Sequence, residues 1–194
     1  VYAGDGQPAV QGYLDLPEDL DIAGDGTIYV ADTMNNVVRL VQTDGTLATL
    51  AGTGAYGRVD GIGGVARFGM PEGIAVSSGG TVYVSDTVND VLRRVTAAGT
   101  VSTLLTGLSV PRGLALAGDV LYIADTGSNT IKRYQISTGV LTTLTTEIRG
   151  PRKIVVTPDG GTLYAVDAGN YRVVSVNTSS GTVSVVAGSG KQGY

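Results

Sequence analysis

A short polar segment returns four times along the chain: Asp32-Thr33 with Asn35 and Asn36, Asp86-Thr87 with Asn89, Asp125-Thr126 with Asn129, and Asp167-Ala168 with Asn170. Carboxylates beside hydroxyls and amides offer proton-transfer or metal-binding chemistry. The same short side chains also bond nearby backbone and fix turns between strands. One active site needs one such cluster, whereas this one is present in every copy. Asp32, Asp86, Asp125, Asp167, Asn36, Asn89, Asn129 and Asn170 are therefore read as structural.

Two further patterns invite chemistry and yield to plainer readings. Asp19, Asp21 and Asp25 suggest calcium, but an oxygen cage wants about six to eight ligands. Gly73, Ala75 and Gly79 occupy the matching places in the second copy, and Asp25 suits a hairpin turn. Gly52-Thr53-Gly54-Ala55-Tyr56-Gly57 spells a dinucleotide fingerprint. That fingerprint requires a following helix to receive a pyrophosphate, and Arg58-Val59-Asp60-Gly61-Ile62-Gly63-Gly64 is no helix. Gly188-Ser189-Gly190-Lys191-Gln192-Gly193 repeats the pattern at the equivalent place, so both belong to connections between repeats.

The 194 residues include no histidine and no cysteine. The commonest general base, the commonest metal ligand and every thiolate site are thereby missing. No catalytic residue, metal ligand or cofactor is assigned. Thirteen basic against seventeen acidic residues give a net charge of −4, which does not favour nucleic acid as a partner. No apolar stretch approaches the roughly eighteen residues of a membrane span. Few lysines, no cysteine and abundant Thr and Gly lean towards an extracellular or cell-surface protein. Asn177-Thr178-Ser179 is a glycosylation sequon, relevant only in a secreted eukaryotic protein.

The elements that must carry these residues repeat with them. Pro17, Pro71, Pro111 and Pro151 lie 54, 40 and 40 residues apart, and Asp32, Asp86, Asp125 and Asp167 follow at 54, 39 and 42. Two anchors in step make a tandem array with one insertion after the first unit. Each unit reads as four short strands separated by Gly/Asp turns such as Gly24-Asp25-Gly26. The third strand, as in Val91-Leu92-Arg93-Arg94-Val95, has some helical spacing after Asp86-Thr87. Its counterparts Ile131–Ile136 and Arg172–Val176 alternate with period two, which decides for strand.

Several strands are apolar on both faces, and no helix is available to cover them. The sheets must stack on one another about an axis. The expected fold is an all-β propeller of four-stranded antiparallel blades at about 17–52, 71–106, 111–146 and 151–188, forming one domain over 1–194. Residues 1–4 resemble the end of a fourth strand and are read as a stray outer strand of a preceding or neighbouring blade. The four blades are accordingly expected to belong to a larger ring, or to one completed between chains.

Pro71-Glu72-Gly73-Ile74-Ala75-Val76, then Gly79-Gly80-Thr81-Val82-Tyr83-Val84-Ser85-Asp86-Thr87, then Asn89 and Val91–Val95 resemble an NHL repeat. The linker from Ala51 through Asp60-Gly61 and Ala66-Arg67-Phe68 to Pro71 is similar to NHL inter-blade linkers. The fourth copy departs most, with Ala168 for threonine and Val174-Ser175 where earlier copies carry a basic residue. The resemblance implies six-bladed rings that act as binding platforms. It also implies two alternatives: lyases or lactonase-type hydrolases with a metal in the central channel, here one lined by carboxylates, and RNA-binding modules with a basic face.

In such blades the turns between second and third strands share an edge with the links between blades. Glu18, Glu72, Arg112 and Arg152 follow the blade prolines there, and the insertion brings Tyr56, Arg58, Asp60, Arg67 and Phe68. This edge is the expected contact surface of a non-catalytic scaffold, binding a protein partner or self-associating through the terminal strands. The competing reading is that the insertion packs on its blade with Phe68 buried. Arg39, Arg93, Arg94, Lys132 and Arg133, on third strands, are expected to be solvated or paired with neighbouring acids.

Val82 lies on a second strand with blades expected on both sides, so Val82→Asp should lower stability by several kcal/mol (about 3 or more) through desolvation of an unpaired carboxylate. A thermal melt matching the parent would contradict the stacked-sheet reading of this strand.

Overall fold

The computed structural model describes residues 3–193. Blade 1 is made of β1 (Pro17–Ile22), β2 (Ile28–Asp32), β3 (Val37–Val41) and β4 (Leu47–Ala51), hydrogen-bonded in that order. A two-residue strand, β5 (Gly61–Ile62), pairs with the outer edge of blade 2. Blade 2 itself comprises β6 (Pro71–Val76), β7 (Val82–Asp86), β8 (Val91–Val95) and β9 (Thr100–Leu105). Blade 3 holds β10 (Pro111–Ala117), β11 (Val120–Asp125), β12 (Thr130–Gln135) and β13 (Val140–Thr145). Blade 4 holds β14 (Pro151–Val156), β15 (Thr162–Asp167), β16 (Arg172–Asn177) and β17 (Val183–Ala187). All ladders within the blades are antiparallel, and the fold is that of a β-propeller.

The third strands are strands. The helix-like signal before β8 comes from a single 3-10 turn, Thr87–Asn89, which closes with Asp90 in the left-handed region. The first strand of each blade begins at its proline. Pro17, Pro71, Pro111 and Pro151 each sit opposite the aspartate that ends the second strand, Asp32, Asp86, Asp125 and Asp167. A register shift follows every proline, so the next residues bulge out of the ladder.

Compactness divides the chain into two units, Val1–Gly107 and Leu108–Tyr194. Each unit contains a pair of blades with one core between them. In the first, Tyr29, Ala31 and Val38 of blade 1 meet Ile74, Val82, Val84, Val95 and Val101 of blade 2, joined by Ala66 and Phe68. In the second, Tyr122, Ala124 and Ile131 of blade 3 meet Ile154, Leu163, Ala165, Val174 and Val176 of blade 4. Small β-branched side chains suit these seams because facing sheets interdigitate at close range.

The two seams differ at the inner strands. Between blades 1 and 2, Asp19 accepts a bond from the Ile74 amide at 3.2 Å and Asp21 one from the Val76 amide at 2.7 Å. Between blades 3 and 4, Gly113 takes the place of Asp19, and a Cβ there would stand 2.2 Å from the Arg152 carbonyl oxygen and 3.0 Å from the Ile154 nitrogen. Asp19, Asp21 and Asp25 are thus bound to backbone amides, the last to that of Thr27.

The N-terminal segment departs from expectation. Val1 and Tyr2 lie outside the described residues, but Ala3 bridges Tyr13, and the Gly6 amide donates to Leu47 of β4 at 2.9 Å. The described part of this segment therefore edges blade 1 itself, as residues 59–62 edge blade 2.

Gly113→Ala should destabilise the second unit by about 1–3 kcal/mol, because a backbone carbonyl cannot yield to the added methyl. Gly79→Ala, where nothing stands nearer than 4.0 Å, is the control and should change urea unfolding little.

Candidate functional site

Each second strand ends in an aspartate shut away from water: Asp32, Asp86, Asp125 and Asp167. A buried carboxylate must be bonded on every side that water would have served. The first bond always comes from the amide two residues before the blade's proline. Asp15 donates to Asp32 at 2.8 Å, Gly69 to Asp86 at 2.6 Å, Ser109 to Asp125 at 2.6 Å and Arg149 to Asp167 at 2.7 Å. The second comes from the residue three places after the aspartate: Asn35, Asn89, Ser128 or Asn170. A cation on the third strand completes the set: Arg39 at 3.8 Å, Arg93 at 2.7 Å, Lys132 at 3.4 Å and Arg172 at 2.6 Å. Burial pushes the Asp86 carboxyl up, against the lowering influence of Gly69, Asn89 and Arg93.

The amides of these segments do two different jobs. Asn35, Asn89 and Asn170 serve their own aspartate. Asn36 and Asn129, one place further on and left-handed, reach the next blade instead. Asn36 accepts from the Met70 amide at 2.8 Å and Asn129 from the Gly150 amide at 2.7 Å. Met70 and Gly150, each just before a proline, are themselves left-handed, which aims their amides at those acceptors. The threonines add a second tie, Thr33 to the Pro71 carbonyl at 2.7 Å and Thr126 to that of Pro151 at 2.5 Å. Grouping Asn36 and Asn129 with Asn89 and Asn170 therefore joins two distinct positions.

Arg39 and Arg93 are fully buried, so the solvated reading fails for them and the paired one holds. Arg93 is the clamp of the insertion. It donates to Asp86, to Asp60 at 2.7 Å, to the Arg67 carbonyl at 3.0 Å and to the Val59 carbonyl at 2.9 Å, with its guanidinium 5.2 Å from the Phe68 ring centroid. Asp60 also accepts from the Thr103 amide and hydroxyl, both at 3.0 Å. Asp5 repeats this arrangement in blade 1 with Arg39 and Thr49. Sequence reasoning passed over Asp5, although Asp5-Gly6 and Asp60-Gly61 each precede a blade proline at nearly the same distance.

The linkers and the turns after the second strands do lie together, since the bonds to Asp32, Asp86, Asp125 and Asp167 join them. Of the residues expected at this edge, Phe68 is buried in the core of the first unit, and Asp60 is taken up by Arg93 and Thr103. Tyr56, Arg58, Arg67 and Glu18 of the first unit are exposed, with Glu72 half-buried. In the second unit Arg152 is exposed and Arg112 half-buried. A hollow of about 280 Å³ on blade 3, lined by Arg133, Gln135, Thr138, Val140 and Thr142, lies at the other end of its outer strands. Among the described residues, no group of three or more His, Cys, Asp or Glu side chains is placed to hold a metal ion. None of their helices is long and apolar enough to cross a membrane.

The family model of the NHL repeat matches residues 68–90, which run from the end of the insertion to the turn before β8. Protein SUPPRESSOR OF QUENCHING 1, chloroplastic, of Arabidopsis thaliana is 35% identical over 83 residues, covering 42% of this chain and 8% of that protein. Its name lends nothing to an extracellular placement. Virginiamycin B lyase from Staphylococcus aureus superposes with a TM-score of 0.64 at 17% identity, over 86% of this chain and 54% of that one. A chain of a nidogen/laminin complex gives 0.67 at 17%, over 84% and 61%. Kuenenia stuttgartiensis hydrazine synthase gives 0.69 at 22%, over 89% and 50%. At these identities the three structures share the fold, and this chain spans from 50% to 61% of each.

Burial alone would raise the Asp60 carboxyl, but the bonds from Thr103 and then Arg93 outweigh it and hold it below the usual carboxylate value. Its stabilisation is therefore full above the unfolded value of about 3.9 and is lost as pH falls through the lower folded value. Asp60→Asn should lower stability near neutrality by no more than about 1 kcal/mol, the side chain being half exposed and screened. Urea unfolding from pH 7 into acid should show that difference shrinking to nothing; a constant difference would contradict the ionic role.

Proposed function

We propose that this chain, which belongs to the NHL-repeat β-propeller family, is a non-catalytic interaction and assembly scaffold that binds a protein partner through the blade edge carrying the linkers. The observation that carries the reading is the clamped insertion of blade 2. Arg93 fixes its backbone from beneath at Val59 and Arg67, while Tyr56, Arg58 and the Arg67 side chain face solvent. A rigid loop loses little freedom on binding, and Tyr and Arg are the side chains that most often anchor protein interfaces. The likeness to a chain of a nidogen/laminin complex is compatible with this use of the fold. Glu18, Glu72, Arg112 and Arg152 add charge to the same edge of their own blades. Self-association through the terminal strands belongs to the reading too, the outer strand β17 of blade 4 presenting exposed Val185 and Val186.

The triple variant Tyr56→Ala, Arg58→Ala, Arg67→Ala should fold as the parent does, since these side chains are exposed. Immobilised parent and variant are compared for the proteins each retains from a lysate of the source cells, identified by mass spectrometry. Loss of specific proteins with the variant is expected; identical retained sets would overturn the linker-edge reading.

A further inference from the structure

The outer edges of blades 1 and 2 each hold a short segment of the chain in the same way. On blade 2, the Asp60 carboxylate accepts from the Thr103 amide and hydroxyl on β9 and from Arg93 on β8. Gly61 and Ile62 then continue along β9 as an added antiparallel strand, opposite Val101 and Thr100. On blade 1, Asp5 does the same with Thr49 and Arg39. There the Gly6 amide donates to the Leu47 carbonyl at 2.9 Å and the Leu47 amide to the Gln7 carbonyl at 3.0 Å.

Blade 3 carries the same receptor without a resident segment. Lys132 stands opposite Thr143 as Arg93 stands opposite Thr103 and Arg39 opposite Thr49, each pair lying directly after the same register shift. Only residues 106–110 connect β9 to β10, so this short connection does not turn back along β13. Among the described residues, no strand or bridge pairs with the outer side of β13. Leu47 and Val101, beneath the added segments, are 1% and 2% exposed, whereas Leu141 in the same place is half-buried. Thr143 is exposed where Thr49 and Thr103 are half-buried. We propose that the outer edge of β13 binds an extended peptide of a partner protein containing Asp-Gly, which adds to blade 3 as a fifth strand.

The two resident segments define the chemistry of that occupant: an aspartate followed by a glycine at positive φ. The peptide aspartate accepts from the Thr143 amide and hydroxyl and from the Lys132 ammonium. Lys132 lies 3.4 Å from Asp125 with its side chain 18% exposed, and an ammonium has donors to spare. It then bridges two aspartates, as Arg39 and Arg93 do. Side chains alternate along β12 and β13, so the hollow lined by Arg133, Val140 and Thr142 opens on the opposite face of this edge. It receives a neighbouring peptide side chain, and Arg133 favours a second acid there. Blade 4 has Val174 opposite Val185 at the receptor positions, with neither cation nor hydroxyl. The inference adds a site beyond the linker edge and shares no residue with it.

The test titrates the chain into a fluorescein-labelled synthetic peptide of residues 57–64, read by fluorescence anisotropy. Saturable binding is expected, weakened about tenfold or more by Asp60→Asn in the peptide, by Lys132→Ala or by Thr143→Pro in the protein. The Asn peptide should bind parent and Lys132→Ala alike, because the two changes remove one interaction. Peptide should also slow hydrogen exchange at the Leu141 and Thr143 amides. Lys132→Ala takes a partner from buried Asp125; should it unfold, Thr143→Pro decides, since it keeps that pair and proline is tolerated where an edge amide faces outward. Absence of binding up to about 1 mM, or binding indifferent to these substitutions, would overturn the proposal. Self-association of the parent in sedimentation velocity that Thr143→Pro abolishes would also overturn it, giving the edge to a second copy. None of these changes in the protein touches Tyr56, Arg58 or Arg67, so the lysate comparison separates failure here from failure of the linker-edge reading.

Discussion

Every blade is organised around one carboxylate that water cannot reach. An ionised aspartate in that position is stable only with donors closing in from several directions, and the donors come from parts of the chain that are otherwise far apart in sequence. The linker supplies an amide, the following turn an amide or hydroxyl side chain, and the third strand a cation. The approach of the linker to the aspartate brings the blade proline opposite it and starts the first strand. The turn that delivers the side chain ends in a left-handed residue, and in blades 1 and 3 that residue, Asn36 or Asn129, bonds to the next blade. Strand order, linker path and blade-to-blade contact are thus consequences of satisfying one buried charge.

This explains why so much of the fold was legible. Proline and aspartate recur in step because they face each other across the first ladder, so two anchors reported one contact. The β-branched, period-two third strands were legible for the ordinary reason that both their faces are used. What stayed hidden depended on the chain folding back. Arg39 and Arg93 sit at positions that read as outward-facing cations until the linker is laid over them. Asp5 was masked because Ala3-Gly4-Asp5-Gly6 looks like Ala51-Gly52-Thr53-Gly54, the end of an outer strand, although it works as Asp60-Gly61 does. Asn36 and Asn89 look alike in sequence, yet one place along a tight turn separates a side chain aimed at its own blade from one aimed at the next. At the candidate edge, residue type pointed to Tyr56, Arg58, Arg67 and Phe68 alike; only packing distinguishes the buried ring from the exposed side chains.

The cation that completes each set also grades the blades. Arg39 and Arg93 each bridge two aspartates and hold a linker by its carbonyls, a task for which a planar, many-donor guanidinium is suited. Lys132 offers a point charge at 3.4 Å from Asp125, and Arg172 approaches Asp167 from a different place in the sequence, with Val174 left apolar in the core. The heavily clamped linker segments therefore belong to the first unit, where the insertion lies.

The inner-strand seams carry a consequence for how such an array can be rearranged. Asp19 and Asp21 need the amides of Ile74 and Val76 beside them, and Gly113 needs an approaching backbone that leaves no room for a side chain. A gene in which blades were shuffled or duplicated would set a carboxylate where only a hydrogen fits, or a bare backbone where an acceptor is wanted. The copies are alike in outline but keyed to their neighbours, so their sequence along the polypeptide is itself inherited information.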